Sequence, residues 1–230
     1  MTFRRDRGTR LILAVAVLLL LGGLATAGTA ARTWWWRARE TGGAQQRLSQ
    51  SLDERWAARG SDLPEAAGRG PAAMPFGGAR GTTDPGDGTP LARLHLPTLG
   101  LDLVVVDGAD DADLRLGPGY IPGTAPIGAA GNTGIAGHRQ PGVFWSLDRL
   151  GIGAPVVLET RDTWFVYRVI EAKVVRPEAR EVLDPPPPGA SPLLTLVTCE
   201  PRLTTARRLI RQATLVRRDP HGGPRPAELA

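Results

Sequence analysis

The chain of 230 residues holds a single cysteine, three histidines and few aromatic residues, 5% in all. One cysteine excludes an intramolecular disulfide and any zinc site built from several thiolates. Scarce aromatics also count against a nucleic-acid surface. The excess of 28 Lys and Arg over 23 Asp and Glu is spread as scattered arginines and forms no basic patch interleaved with stacking rings. Helix-turn-helix, RRM and zinc-finger spacings are missing too, so no nucleic-acid partner is expected. Helical periodicity is rare beyond residue 60, where glycine and proline gather between short apolar runs.

What the chain does have begins at its N-terminus. Arg4, Arg5, Arg7 and Arg10 precede an uncharged, largely apolar run from Leu11 to Ala31, about the length needed to cross a hydrocarbon core. Trp34, Trp35 and Trp36 follow it as an interfacial belt would. The small residues from Ala25 to Gly28 also suit a cleaved signal peptide, but the run is longer than a usual signal core. The expectation is therefore an uncleaved transmembrane helix over 11–31. The positive-inside rule then keeps residues 1–10 in the cytoplasm and puts the rest outside, as a single-pass protein of the cell membrane. Residues 32–90 read as a juxtamembrane segment and a linker. Leu48, Leu52 and Trp56 recur every four residues, as on an amphipathic helix, although a bland spacer fits equally. Gly60 to Pro90 has the Gly, Ala, Pro and Asp content of a flexible linker.

A folded domain is expected over 91–217, with 218–230 as a tail. Leu94 and Leu96 alternate with Arg93 and His95, and Leu101 to Val106 follows a turn at Pro97 to Gly100. Further strands are expected up to His138, over Ala154 to Thr160, Trp164 to Glu171 and Lys173 to Val175, and over Leu193 to Val197 and Leu209 to Val216. Val143 to Leu150 has apolar residues at helical spacing and reads as a short helix. Many short strands with scarcely a helix imply an all-β domain, either a closed barrel or a sandwich. Asp107, Asp110, Asp111 and Asp113 form an acidic cluster, but without EF-hand spacing it reads as a solvated turn. No metal or cofactor is expected.

Few residues are left to carry chemistry. Cys199 stands between two apolar runs and is either a small core hydrophobe or a nucleophile. A free thiol outside the membrane is open to oxidation, so its presence calls for a reason. His138 ends an apolar strand after Ala136 and Gly137, where small neighbours permit close approach of another segment. It is either a satisfied structural histidine or a functional one. His95, alternating outward on a strand, and His221, in a Gly/Pro-rich tail, read as solvent-exposed bystanders. Arg207, Arg208 and Arg211 open the strand after the cysteine, so a thiol, an imidazole and a guanidinium can converge as nucleophile, proton donor and oxyanion stabiliser.

The segments GPGYIPGTAPIGAAGNTGIAGHR (Gly117 to Arg139), TLVTCEP (Thr195 to Pro201) and RLIRQA (Arg208 to Ala213) resemble, in this order, the loop, the TLxTC motif and the arginine strand of sortases. The nearest resemblance is to the class E housekeeping sortases of actinobacteria, with class D next. It implies a closed eight-stranded β-barrel with short helices, and a cysteine transpeptidase that cleaves the Thr–Gly bond of an LAXTG- or LPXTG-like C-terminal sorting signal. Carried over by motif, Cys199 is the nucleophile, His138 the general acid and Arg208, with Arg207 as the fallback, the oxyanion-stabilising arginine. Thr198 and Tyr120 are implied to contact substrate, and the loop from Arg139 to Phe144 to line the groove. Two residues depart from the class E pattern: Tyr120, where a histidine is common, and Glu200, where a bulkier or basic residue often follows the cysteine. The partners implied are secreted proteins bearing a sorting signal and a peptidoglycan-precursor amine as acceptor. An L,D-transpeptidase is disfavoured because Cys199 follows Val197 and Thr198 and not the SHG of that family; a non-catalytic anchored β-domain is the other reading.

Overall fold

The structure, a computed structural model, describes residues 15–20, 23, 41–58 and 88–230. It forms two compact units, Met1–Glu40 and Thr41–Ala230. In the first, residues 15–20 and 23 are helical, and the remainder of the expected 11–31 span lies outside the described residues, as do 1–10, 32–40 and the linker residues 59–87. Among the described residues no helix is long and apolar enough to cross a membrane.

The second unit is a closed β-barrel. Its strands are β1 (Pro90–Leu96), β2 (Leu101–Asp107), β3 (Gly119–Tyr120), β4 (Asn132–Ala136), β5 (Pro155–Glu159), β6 (Thr163–Val175), β7 (Leu193–Glu200) and β8 (Arg207–Pro220). They close in the order β1-β2-β3-β4-β7-β8-β6-β5. Side chains alternate across each strand, so Leu94, Leu96, Ile135, Leu158, Tyr167, Leu194 and Leu196 meet in one interior cluster. The two strands expected at 164–171 and 173–175 are one. β6 runs unbroken through the charged residues, with register shifts at Val166/Tyr167 and Val169/Glu171 that bend it around the barrel. The short helix expected at 143–150 is a series of tight turns ending in a 3-10 turn at Leu147–Arg149. Val143, Leu147 and Leu150 each donate their N–H to the carbonyl three residues back, which buries all three completely with Phe144.

An outer layer covers part of the barrel wall. Helix α1, residues 41–58, lays Leu48, Leu52 and Trp56 against Val104 and Val106 of β2, so the four-residue spacing marks a helix packed on the domain. β3 pairs with β2 only at Val106 and Asp107, which leaves Val104 without a strand neighbour on that side. The Gln45 side chain takes that place. Its amide nitrogen donates to the Val104 and Leu116 carbonyls at 3.2 and 2.8 Å, and its oxygen accepts the Val104 N–H at 2.6 Å. The acidic cluster builds a second helix, α2 (Asp111–Leu116). Asp110 accepts from the N–H groups of Ala112 and Asp113 while Asp113 reaches back to Asp110, a reciprocal cap.

The bystander expectation for two histidines is corrected here. His95 is 4% exposed, with Nδ1 2.6 Å from Asp102 and Nε2 2.8 Å from Glu159. His221 stacks on Trp164, with centroids 4.9 Å apart, and lies 2.8 Å from the other oxygen of Glu159. Trp164 and the C-terminal segment cover the outward face of β1 that the alternation assigned to solvent. Leu229 packs with Val157, Trp164 and Val166, and Glu228 pairs with Arg168 and Arg217, so residues after β8 fold back onto the barrel.

Candidate active site

The site is built where β4, β7 and β8 lie side by side. β7 and β8 are antiparallel, and Cys199 is directly opposite Arg208. Residues on one rung share a face, so the thiol and the guanidinium start from the same side of the sheet. β4 runs parallel to β7, with Ala136 opposite Val197 as the last paired rung. Two residues further along both chains come His138 and Cys199, and the period of two returns them to the face of Ala136 and Val197. The register thus puts Cys199 and Arg208 on one rung, beside the end of β4 that leads into His138. Cys199, His138 and Arg208 are all half-buried, reachable yet partly desolvated.

The floor beside them is apolar and covered. Ile121, Ala136, Val182, Val197 and Ile210 form a cluster on the outer face of these strands, and Val182 comes from a 3-10 turn at Arg180–Leu183 that lies over it. Buried hydrogen bonds pin this cover. Asn132 donates to the carbonyls of Val182 and Asp184, and the Thr195 hydroxyl donates to Asn132 at 2.8 Å. The cluster ends at Val197 and Ile210, and the next residues on the same face are Cys199 and Arg208.

Arg208 and Arg207 are distinguished by placement. Arg207 lies opposite Glu200 and is exposed, whereas Arg208 lies opposite Cys199. Arg208 Nη1 donates to the carbonyls of Thr205 and Arg207 at 3.0 and 3.1 Å, which holds that end of the guanidinium against the start of β8. Thr198 takes a different position from the substrate contact expected of it. Its hydroxyl donates to the Gly137 carbonyl at 2.7 Å and the residue is 2% exposed, so it ties β7 to the segment ahead of His138. Gly137 is required there, because a Cβ would lie 2.6 Å from the Phe144 ring.

Sequence reasoning missed the charged group behind this pair. Arg139 donates to Asp148 at 2.9 Å and pairs with Glu200, while Arg202 donates to both oxygens of Asp148 and lies over the Trp145 ring. Arg211, on the interior side of β8, donates to the carbonyls of Leu150 and Asp148. Burial pulls the Asp148 carboxyl up, but its backbone bond and the charges of Arg139 and Arg202 outweigh this and hold it below the ordinary carboxylate range. Burial lowers the Arg211 guanidinium, against the opposing pull of Asp148. Spacing carries no signal for such a group, because its members come from the turns after β4, the end of β7, the β7–β8 loop and β8, and meet only in the folded chain.

A model of the Sortase domain matches residues 94–216, more than half of the chain. The chain belongs to the sortase family. It is 32% identical over 167 residues to sortase SrtE1 of Streptomyces coelicolor and 34% identical over 158 residues to sortase SrtE2 of the same organism. These alignments cover 65% and 59% of this chain, which spans 46% and 60% of those relatives' lengths. The crystal structure of sortase E1 from Streptomyces coelicolor with a tripeptide in the active site superposes with a TM-score of 0.57 at 31% identity, over 61% of this chain and 96% of that one.

Sortases are cysteine transpeptidases, and this sortase has one cysteine to offer. Tyr120 lies on β3 opposite Ile135, with its ring against the interior cluster and its hydroxyl donating to the Thr124 carbonyl at 2.5 Å. Burial raises the Tyr120 phenol above its ordinary value, and the hydrogen bond to Thr124 only partly offsets this. Among the described residues no three His, Cys, Asp or Glu side chains gather as metal ligands.

Proposed function

We propose that this chain is a membrane-anchored sortase that cleaves the Thr–Gly bond of an LAXTG- or LPXTG-like C-terminal sorting signal and transfers the protein to a cell-wall amine. Cys199 Sγ attacks the threonine carbonyl carbon, the C–N bond to glycine breaks, and a thioester to the enzyme forms. His138 gives the departing amine its proton. An amine of a peptidoglycan precursor then attacks the thioester carbonyl, the C–S bond breaks, and the proton lost by that amine returns to His138. Arg208 stabilises the oxyanion in both steps. Thr198 contributes through the strand ends it ties together, and Tyr120 through the part of its ring left exposed toward a bound peptide.

The observation that carries this reading is the Cys199–Arg208 rung beside the end of β4 that leads into His138, in a chain of the sortase family. The tripeptide in the active site of the Streptomyces coelicolor enzyme supports a peptide as the occupant. The anchor rests on the arginine-flanked apolar run over 11–31 and the three tryptophans after it. The test is turnover of LAXTG and LPXTG peptides by the full chain in detergent, with Cys199→Ala alongside. Wild type is expected to cleave and the variant not to. Equal turnover by both, or none by wild type with any sorting peptide, overturns the reading in favour of a non-catalytic anchored β-domain. Because Cys199 is the sole thiol, a membrane-impermeant maleimide added to intact cells reports the topology directly. Labelling only after lysis would rule out an extracellular domain.

A further inference from the structure

The residues that immediately follow His138 and Cys199 form an ion pair, and its role rests on the reaction proposed above. The parallel pairing of β4 with β7 ends at Ala136 and Val197, and counting two and three residues on along both segments matches 138 with 199 and 139 with 200. The last ties between the two segments are the Gly137 N–H donating to the Val197 carbonyl at 3.0 Å and the Thr198 hydroxyl donating to the Gly137 carbonyl. β4 ends before His138, so its strand pairing stops short of the reacting residues. The next rung is joined by charge, with Arg139 Nη1 3.0 Å from Glu200 Oε2.

The surroundings make this pair directional. The Arg139 side chain is 3% exposed, and its other terminal nitrogen is held by Asp148 at 2.9 Å. Asp148 also takes Arg202 from the β7–β8 loop. The guanidinium is therefore fixed on the side of the 143–150 turns, and Glu200 is drawn toward it from the end of β7. Although Nη1 and Oε2 are close, neither has a hydrogen-bond partner in good alignment, so the contact is held by coulombic attraction. Such attraction is stronger at a site that water reaches poorly than on an open surface.

We propose that the Arg139–Glu200 pair is a positioning device that holds His138 and Cys199 at their reacting separation, beyond the point where β4 and β7 cease to pair. Glu200 then serves the reaction through its neighbour, without touching substrate. A small misplacement of reacting groups lowers the rate of the chemical step more than it weakens binding.

The experiment compares the full-length wild type in detergent with Glu200→Gln, which keeps the size and removes the charge, and Glu200→Asp, which keeps the charge, with Cys199→Ala as the blank. For Glu200→Gln, kcat is expected to fall by about ten- to a hundredfold, with KM changed by no more than about twofold and an unfolding midpoint close to that of wild type. Glu200→Asp is expected to recover most of kcat, which a loss of packing alone would not predict. A Glu200→Gln enzyme with wild-type kcat, or a loss that Glu200→Asp does not relieve, overturns the positioning role while leaving the sortase reading intact. If wild type itself turns over no sorting peptide, the sortase reading fails and the positioning role falls with it.

Discussion

At the scale of single residues, β8 register sets apart two adjacent arginines that sequence alone leaves as first choice and fallback. Arg208 shares a rung with Cys199, and Arg207 shares one with Glu200 at an exposed position. Removing an oxyanion donor typically costs about a hundred- to a thousandfold in kcat. Arg208→Ala should lose activity on a sorting peptide on that scale, whereas Arg207→Ala should stay within about threefold of wild type, an effect below 1 kcal/mol. Steady-state kinetics of the two variants side by side check this, and the reverse order would reassign the arginine. Cys199 and His138 stand out in the sequence as candidates because thiols and imidazoles are rare in this chain and each sits in a recognisable motif. The Arg139–Glu200 contact does not stand out there, because it forms only where the segments that follow β4 and end β7 come together, separated by about sixty residues, as for Gly137 and Thr198 at a separation of 61. Thr198 was read as a substrate contact because motif position says nothing of where its hydroxyl points.

At the scale of elements, the strands were the most legible part, since alternation of apolar residues survives wherever one face meets the barrel interior. The linear pattern was less informative where a second layer covers the outer face. Helix α1 is such a case: its Leu48, Leu52 and Trp56 stripe announced a helix, but nothing in the stripe said what it covers. Gln45 carries the strongest evidence that the helix belongs to the catalytic unit, because its amide completes the backbone bonding of Val104, which is only 3% exposed. Gln45→Ala should destabilise residues 41–230 by about 2 kcal/mol, the usual penalty for leaving buried backbone groups unpaired. Urea unfolding of that fragment measures it. A fragment beginning at Leu91 should melt below one beginning at Thr41, since it would expose Val104 and Val106 along with the lost bonds. Equal melting temperatures would mean that the helix is a passive neighbour.

At the scale of the whole molecule, the barrel is braced by parts distant in sequence that converge on one carboxylate. Glu159 of β5 meets His95 of β1 and His221 just beyond β8, and Arg93 lies 3.8 Å away. Arg93 in turn pairs with Asp53 and lies over Trp56 of α1. Asp102 faces His95 from β2, so both carboxylates flank the same ring. Burial pushes Glu159 up, but the bonds from His95 and His221 and the positive charges around it prevail and hold its carboxyl below the ordinary value of 4.5. A carboxylate whose pKa is lowered by folding stabilises the fold fully above its unfolded value, and that contribution is lost as pH falls through the folded value. Stability of residues 41–230 should therefore hold from neutrality down to about pH 5 and decline below the ordinary carboxyl value near 4.5. Asp148 and Glu228, also held low, push in the same direction from other parts of the barrel. Glu159→Gln should lower stability at neutral pH and flatten the decline toward acid, which urea midpoints taken across the acid range would reveal. An unchanged acid slope in that variant would show that Glu159 does not couple these elements, and that the helix, the barrel and the C-terminal segment are held by their other contacts, the Gln45 bonds and the Glu228 ion pairs among them.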